Sequence, residues 1–377
     1  MAYDTKARRI VAFGGRVIDD SQPKYLNSPE TELYSKRKLL YGLNLHRQAI
    51  AKSEQALVVE GYLDVIMLDQ VGLRTAVASL GTALTPEQAQ AQLDAHTREI
   101  IAWHFSPDSG CPYWLDWAKK NFDPRKEVNS FADLIAKFPH FQDESLRDMQ
   151  PEVWVPAKFK GQPFNIFETG GTTGMPKQRI GWNDYKVDYS EFSDKISDEH
   201  FPRNHYWLMM GPTGPRRLRL AIEHLANVRG SSCYFIDLDP RFVKKVISNK
   251  QFDVARAYMD HVVDQAVTIM KNRKVSGLFT TPKLLEALAE KIDLYEAGIR
   301  GVFCGGTTMA PQYVRFIVEE VLEGRIGFYP TYGNTLMGLA ASVPLRPEDK
   351  FSITYYAPQP RAVLRVVNPT QTNTVVD

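Results

Sequence analysis

The segment from Thr169 to Lys177 combines glycines, threonines and a lysine in the order Thr-Gly-Gly-Thr-Thr-Gly-Met-Pro-Lys. Glycines let the backbone turn tightly and approach a ligand closely. Threonine hydroxyls and free backbone N–H groups donate to anionic oxygens, and the lysine adds a point charge suited to phosphate. The segment, which we call the phosphate loop, therefore predicts a site for a nucleotide triphosphate. A glycine- and threonine-rich hairpin turn is the alternative interpretation.

The phosphate loop differs from a Walker loop, which requires G-x-x-x-x-G-K-[ST] with a helix directly after it. Here Pro176 and Lys177 follow the last glycine, and Gln178-Arg179-Ile180 has the pattern of a strand. The sequence thus predicts a phosphate-binding loop between two strands.

Two carboxylates near the start of the chain lie where a predicted strand meets a predicted helix. Glu60 ends the apolar run Ala56–Val59, and Asp64 lies one helical turn further on. The structural interpretation makes Glu60 a solvated strand end and Asp64 an acid at a helix N-terminus.

A second acidic pair, Asp237 and Asp239, follows the apolar run Cys233–Ile236. Pro240 comes next, and proline favours the first position of a helix. We therefore expect Asp239 to cap a helix.

The elements that position the first carboxylates alternate between strand and helix. The hydrophobic pattern predicts a helix over 31–52, a strand over 55–60, a helix over 63–71 and a strand over 75–80. Strand, helix and strand in that order indicate a parallel βαβ unit.

Later strands end at turns rich in small residues. Two such turns are Gly211-Pro212-Thr213 and Gly305-Gly306-Thr307, each of which follows a predicted strand. A third run of this kind is Tyr332-Gly333-Asn334-Thr335. Alternating strands and helices with such turns predict an open α/β sheet that binds a nucleotide at the carboxyl ends of its strands.

Composition narrows the class of protein. A chain of 377 residues favours two domains, and the net charge of +2 argues against nucleic acid as a partner. No apolar run approaches the roughly 18 residues of a spanning helix, and the N-terminus lacks the apolar core of a secretion signal. Cys111, Cys233 and Cys304 lack metal-ligand spacing. We expect a cytoplasmic protein without a membrane partner.

The phosphate loop resembles that of adenylate-forming ligases, T-S-G-T-T-G-x-P-K, with Gly170 where serine is commonest. The runs around Gly305 and Tyr332 also resemble that family, in its order. The likeness is to the phenylacetate-CoA-ligase type. It implies a large domain of layered sheets and helices that converts a carboxylic acid and ATP, with Mg²⁺, into an acyl-adenylate and pyrophosphate.

The same resemblance implies roles for particular residues. Thr172, Lys177 and Thr335 would be catalytic, Tyr332 would stack on adenine, and Thr335 would contact the α-phosphate. The acyl pocket would be lined by Gly211, Pro212 and Thr213. The implied ATP contacts are Thr169, Gly170, Gly171, Thr172, Thr173, Gly174, Lys177, Gly305, Gly306, Thr307, Tyr332, Gly333, Asn334 and Thr335. The substrate would be a small aryl or fatty acid, and CoA or a carrier protein would accept the acyl group.

Two departures from the ligase pattern affect the expected activity. Leu336 stands where the family has a magnesium-binding glutamate, and the sequence ends at Asp377, before the family's small C-terminal domain with its lysine. We therefore expect ATP binding with weak or absent adenylation.

Residues 12–83 resemble the bacterial primase family, in the domain that it shares with topoisomerases. The runs that carry the likeness include Val59-Glu60-Gly61-Tyr62-Leu63-Asp64-Val65 and Ser79-Leu80-Gly81-Thr82-Ala83. The resemblance implies that Glu60 belongs to a magnesium-binding acidic cluster that Asp64 would face. The family's second strand, which ends in Asp-x-Asp, does not follow Gly81-Thr82 within reach.

The sequence thus predicts an α/β protein of two parts. Residues 1–92 would be a truncated topoisomerase-primase βαβ unit, and residues 93–377 an incomplete ligase large domain. An ATP-binding ligase-like protein is the leading hypothesis. The alternatives are a primase fragment that binds magnesium and single-stranded nucleic acid, and an inactive fusion of two gene fragments.

Overall fold

The computed structural model describes residues 2–4, 9–16, 25–28, 31, 40–53, 55–59, 61–79, 86–171, 174–214, 217–334, 337–356, 362, 367–368 and 371–375. The chain divides into two compact units. The first unit comprises residues 1–109 and 114–139, and the second comprises residues 110–113 and 140–377. The predicted boundary at residue 92 falls inside a helix, Pro86–His104, and stays a prediction.

The elements of the first part of the chain are mostly short. In chain order up to residue 139 they are β1 Ala2–Asp4, β2 Arg9–Ala12, β3 Gly14–Arg16, β4 Tyr25–Asn27, β5 Leu40–Tyr41, α1 Leu43–Ser53, β6 Leu57–Val59, α2 Tyr62–Gln70, β7 Ala76–Ser79, α3 Pro86–His104, α4 Pro112–Lys120, α5 Pro124–Glu127 and α6 Phe131–Lys137.

The predicted βαβ unit is confirmed. Strands β6 and β7 pair in parallel, with Leu57 opposite Ala76, and α2 connects them. Val65 of α2 is buried against Ala76 and Ala78 of β7. Burial of this apolar face fixes the helix on the sheet.

The helix predicted over 31–52 is wrong at Leu40 and Tyr41, which form β5 and pair antiparallel with β7. Gly42 then turns the chain at a φ of +84°, and α1 begins at Leu43. A side chain at Gly42 would lie 2.8 Å from Val65 Cγ1. The left-handed turn and the close approach both require glycine and separate the strand from the helix.

The aromatic residues that follow α3 build a separate core in the first unit. Phe105 is buried with Ile101 and Val128. Trp117 stacks on Phe138 at a centroid distance of 4.7 Å, with an interplanar angle of 8°. These rings pack against one another and form the core of this part of the first unit.

The second unit carries the longer elements. From residue 140 they are α7 Ser145–Asp148, single-turn helices Pro151–Trp154 and Ala157–Phe159, β8 Asn165–Glu168, β9 Gln178–Gly181, α8 Asp184–Ser193, β10 Tyr206–Gly211, α9 Arg217–Val228, β11 Cys233–Asp237, α10 Pro240–Ser248, α11 Phe252–Asn272, β12 Val275–Thr280, α12 Pro282–Ala289, β13 Gly301–Cys304, α13 Pro311–Phe316 continued by a wider turn Ile317–Val321, β14 Gly327–Asn334, β15 Gly338–Ser342, a turn of helix Pro347–Asp349, β16 Tyr355–Tyr356, β17 Val367–Asn368 and β18 Gln371–Val375.

A sheet of seven strands organises the second unit, in the order β11-β10-β12-β13-β14-β15-β16. The five strands from β11 to β14 in that order are parallel, whereas β15 and β16 are antiparallel to their neighbours. The predicted open α/β sheet is confirmed. Within the described residues, no helix is both long and apolar enough to cross a membrane.

A row of glycines crosses this sheet near the amino ends of the parallel strands. Trp207 pairs with Gly277, Gly277 with Gly301, and Gly301 with Gly327. The Trp207 ring covers Gly277, where an added Cβ would lie 2.7 Å from Cδ2. The Phe201 ring covers Gly301, with Cζ 2.7 Å from the Cβ position. We call Gly277, Gly301 and Gly327 the glycine row.

Residues 193–207 form the segment that covers the glycine row. Arg229, whose side chain is almost fully buried, anchors this segment. Its Nε donates to the Phe201 carbonyl at 3.0 Å, and its Nη1 donates to the Ser193 carbonyl at 2.9 Å. The carboxylate of Asp198 pairs with Nη2. Because the guanidinium is hydrogen-bonded and charge-paired, its burial is compensated.

We predict that Gly277→Ala destabilises the second unit by about 1–3 kcal/mol, because the new methyl group has no room beneath the Trp207 ring. Urea unfolding followed by tryptophan fluorescence would measure the change. Gly214→Ala is the matched control, since an added Cβ there meets no atom within 4 Å. Equal stability of the two variants would contradict the packing argument.

Candidate functional site

A cavity of about 350 Å³ lies at the carboxyl edge of the seven-stranded sheet. Its lining includes Gly170 of the phosphate loop, Pro212 after β10, Gly305 and Gly306 after β13, and Gly333 of β14. Parallel strands bring the turns at their carboxyl ends to one edge, and ligands bind there in open α/β sheets. Five residues that the sequence analysis selected from separate segments therefore line one cavity.

The remaining wall of this cavity is mostly apolar. Phe279, Leu218 and Leu339 line it together with Tyr189. Tyr189 is buried, and burial raises the pKa of its hydroxyl well above the ordinary value. The cavity thus combines a glycine-lined edge with an apolar wall, as small-molecule sites commonly do.

The phosphate loop is the connection of a β-hairpin. Strands β8 and β9 pair antiparallel, with Glu168 opposite Gln178. Thr169 N–H donates to the Lys177 carbonyl at 3.0 Å, and Lys177 N–H donates to Thr169 Oγ1 at 3.0 Å. The described part of the loop is thus a hairpin connection, as in the alternative interpretation. The Thr169 hydroxyl oxygen thus accepts a hydrogen bond within the loop itself.

Lys177, the predicted phosphate-binding lysine, is engaged by a carboxylate. Its ammonium group forms an ion pair with Asp143, and only 18% of the lysine side chain is exposed. The hydrogen bond from Lys177 lowers the pKa of Asp143 below its ordinary value. The loop lysine can therefore reach an incoming phosphate only by exchanging one anionic partner for another.

Helix α10 places two further cations beside the loop. Arg241 Nη2 donates to Glu168 Oε2 at 2.9 Å. Lys244 Nζ lies 3.7 Å from the position of a Cβ on Gly170. Among the described residues, no carboxylate lies within 4.0 Å of Lys244 Nζ.

Arg241 and Lys244 were missed by the sequence analysis, although a signal for them exists. Cations in the first turns of a helix oppose its dipole, so they need a nearby anion to compensate them. Asp239 supplies the cap, because its Oδ1 accepts from the N–H groups of Arg241 and Phe242 at 2.9 and 3.2 Å. The sequence-based assignment of Asp239 to capping is confirmed.

Arg217, which lines the cavity, belongs to a buried ion pair. Arg217 Nη2 lies 2.9 Å from Asp188 Oδ2 and 3.5 Å from Asp184 Oδ2. Gly338 packs directly on this pair, since an added Cβ would lie 2.6 Å from Asp188 Oδ2. The Arg217 side chain is thus held in place by carboxylates before any ligand enters.

Several predicted site residues are described but do not line this cavity. Thr307 is exposed, and Tyr332 is 53% exposed, with its ring 5.9 Å from that of Tyr355. Gly211 ends β10 in a buried position beneath Phe279. The other described members of this set are Thr169, Gly171, Gly174, Lys177, Thr213 and Asn334. The predictions for Glu60, Thr172, Thr173, Thr335 and Leu336 lie outside the described residues.

In the first unit, Asp64 has a structural partner. Its Oδ2 accepts from the Gly61 N–H at 2.9 Å, which caps the start of α2. Within the described ranges, which omit Glu60, no group of three histidine, cysteine or acidic side chains is arranged to hold a metal ion. Metal binding by Glu60 and Asp64 stays a prediction.

The first part of the chain matches two known protein families. Residues 3–47 match the family of the DNA primase catalytic core, N-terminal domain. Residues 54–109 match the Toprim domain, so this likeness runs past the predicted boundary at residue 92. The first part of the chain is similar to bacterial DNA primases.

The similar proteins include bacterial DNA primases of known sequence and structure. A DNA primase of Synechococcus elongatus is 60% identical over 100 residues, which are 26% of this chain and 14% of the relative. The solved structure of a DNA primase domain from Pseudomonas aeruginosa is 50% identical and covers 24% of this chain and 28% of its own, with a TM-score of 0.23. This chain therefore spans only a small fraction of the primases that it matches.

A solved structure of another class of protein covers a larger share of the chain. The structure of a 2-hydroxyisobutyryl-CoA ligase covers 69% of this chain and 52% of its own, at 14% identity and a TM-score of 0.44. A likeness at this level does not identify a family. The ligase resemblance of the second unit stays a prediction that depends on its own residues.

If the phosphate loop binds phosphate as its sequence predicts, Asp143→Asn should raise the affinity of the full chain for ATP by about two- to fivefold, because the phosphate no longer competes with a carboxylate for Lys177. Isothermal titration calorimetry with ATP would measure the change. Asp148→Asn removes a nearby exposed charge without touching Lys177 and is the matched control. Lower affinity in the Asp143 variant would mean that Asp143 positions the lysine instead of competing for it.

Proposed function

We propose that residues 3–109 bind single-stranded nucleic acid with the help of magnesium, without synthesising a primer. The identity of 60% over 100 residues to a DNA primase supports this proposal. The parallel βαβ arrangement, in which Glu60 follows β6 and Asp64 opens α2, is consistent with it. The near-neutral charge argues against nucleic acid only as an average over the whole chain. Primer synthesis is not expected, because no Asp-x-Asp run follows Gly81-Thr82 within reach.

We predict that the full chain binds a fluorescent single-stranded oligonucleotide more tightly with Mg²⁺ than with a chelator present. Neutralising the two carboxylates in Glu60→Gln/Asp64→Asn should abolish the difference, because magnesium loses its oxygen ligands. Fluorescence anisotropy would measure both affinities. Glu99→Gln, which removes an exposed acid from α3, should behave like the unmodified chain. Binding that is indifferent to Mg²⁺ would contradict the role of the carboxylates.

We propose as a second function that the carboxyl-edge cavity of the second unit binds ATP. The specific observation in favour is the meeting of Gly170, Pro212, Gly305, Gly306 and Gly333 at one cavity. Backbone N–H groups at glycines can approach phosphate oxygens closely. The phosphate loop would hold the β- and γ-phosphates, and Tyr332 and Thr335 would take the roles that the ligase resemblance implies.

The reaction that this site would support is acyl-adenylate formation. A carboxylate oxygen would form a bond to the α-phosphorus, the bond to the bridging oxygen would break, and pyrophosphate would leave. Positioned donors and cations stabilise the charge that gathers on the phosphoryl oxygens. Magnesium would neutralise charge on the phosphates when bound.

The apolar wall suggests the class of acid. Pro212, Leu218, Phe279 and Leu339 offer an apolar surface next to the glycine-lined edge. An aryl or fatty acid would bury its apolar part there. CoA and a carrier protein remain the two candidate acceptors of the acyl group.

We predict that Lys244→Gln lowers ATP affinity by about three- to tenfold, because Lys244 is the described cation beside Gly170 that has no carboxylate partner. Calorimetry with ATP and Mg²⁺ would give the affinity. Lys245→Gln changes the neighbouring exposed residue of α10 and is the matched control.

Absence of ATP binding in the unmodified chain would contradict the second function. Absence of both ATP and oligonucleotide binding would favour the hypothesis of an inactive fusion. Pyrophosphate exchange across a panel of aryl and fatty acids would then test turnover, which we expect to be weak or absent.

A further inference from the structure

A second and larger cavity, of about 840 Å³, lies at the amino edge of the seven-stranded sheet. Its lining includes five cations, namely Lys271, Arg273, Lys274, Arg300 and Arg325. The strands β10, β12 and β13 begin at this edge, opposite to the carboxyl edge at which Gly305 and Gly306 lie. We call it the basic cavity.

Arg300 is the most fully positioned of these cations. Its Nη1 donates to the carbonyls of Tyr295 and Ile299 at 2.8 and 2.9 Å. Its guanidinium lies over the Tyr295 ring, 4.0 Å from the centroid. Two neutral carbonyls and an aromatic ring thus hold the side chain, and none of them cancels its charge. The described contacts leave Nε and Nη2 free to donate to a ligand.

The charge balance of the basic cavity is positive. Arg325 is paired with Glu323, Asp293 and Glu296. Among the described residues, no carboxylate lies within 4.0 Å of a side-chain nitrogen of the other four cations. The described lining contains one carboxylate, that of Glu199.

The end of α11 explains only part of this charge. Lys271, Arg273 and Lys274 surround the C-terminus of that helix, where cations are favourable neighbours of its dipole. Arg300 has a different origin, because it directly precedes β13. Proximity to the end of α11 therefore does not account for Arg300, which reaches the cavity from a different segment of the chain.

Two histidines complete the wall and are fixed by hydrogen bonds. His205 Nδ1 lies 2.8 Å from Ser276 Oγ, and His200 Nδ1 lies 3.0 Å from the Tyr329 hydroxyl. These contacts leave Nε2 of each ring available to a ligand. The cavity therefore offers hydrogen-bonding groups from the segment before β10 as well as from the later strands.

We propose that the basic cavity binds a small molecule that carries at least two phosphate groups. Arginine and lysine are the side chains that pair with phosphate oxygens, and positioned guanidinium groups do so through two donors at once. One phosphate would meet Arg300, and the second would lie among Lys271, Arg273 and Lys274. The site is independent of the carboxyl-edge cavity and of the ATP binding proposed there.

Calorimetric titration of the full chain with inorganic pyrophosphate tests this proposal. We expect Arg300→Gln and Lys274→Gln each to weaken binding by at least about tenfold, because each removes a charged donor to phosphate. Arg315→Gln, which changes an exposed arginine of α13 outside the cavity, should bind like the unmodified chain. Lys177→Gln should also leave this binding unchanged, which separates it from any pyrophosphate bound by the phosphate loop.

Thermal unfolding of each variant guards against misfolding, and Lys274 is exposed, so its substitution leaves the packing intact. The proposal is overturned if the unmodified chain does not bind pyrophosphate, if both cavity variants bind it normally, or if only Lys177→Gln loses it. It is also overturned if a single-stranded oligonucleotide binds and the cavity variants lose that binding alone, because the cavity would then be part of a nucleic-acid surface.

Discussion

The glycine row is the constraint on which the second unit depends. Three neighbouring strands carry glycine at the same level, and the rings of Trp207 and Phe201 occupy the space that side chains would fill. This close approach accommodates the segment of residues 193–207, which Arg229 anchors through the Phe201 carbonyl. The same segment supplies His200 and His205 to the basic cavity. A packing requirement at the amino edge of the sheet therefore helps to shape the basic cavity.

Parallel pairing has the complementary effect at the other edge. Because β10, β12, β13 and β14 run in one direction, the turns after them meet although they are far apart in sequence. Small residues in those turns leave room, and the cavity that results is lined by Pro212, Gly305 and Gly306. One sheet thus produces two cavities of different character, since strand starts and strand ends present different segments.

The sequence predicted the elements well where hydrophobic periodicity is strong. The βαβ unit, the open α/β sheet and the capping role of Asp239 followed from pattern and from local chemistry. The strand at Leu40 and Tyr41 was missed, because its pairing with β7 and the turn at Gly42 are tertiary effects.

The site was predictable only in the glycines and the proline of its turns. Their positions relative to strand ends are local features, and parallel strands bring such ends together without further information. The partners of charged residues depend on pairing across distant segments. The ion pair of Lys177 with Asp143 and the approach of Lys244 to Gly170 arise in this way, as does the burial of Arg217 against Asp188. Sequence spacing alone does not predict these contacts.

Charge pairing distinguishes the two edges of the sheet. At the carboxyl edge, Lys177, Arg241 and Arg217 each have a carboxylate partner, and an incoming phosphate must displace an anion to pair with any of these three. Lys244, beside Gly170, has no carboxylate partner among the described residues. At the amino edge, Arg300 is held by neutral groups and keeps its full charge for a ligand. Exchange of one ion pair for another gains little free energy, whereas pairing with a positioned arginine that has no carboxylate partner gains more. A multiply charged anion should therefore occupy the basic cavity at a lower concentration than the carboxyl-edge cavity. In this fold, a glycine-rich phosphate loop therefore does not by itself identify the cavity with the higher affinity for phosphate.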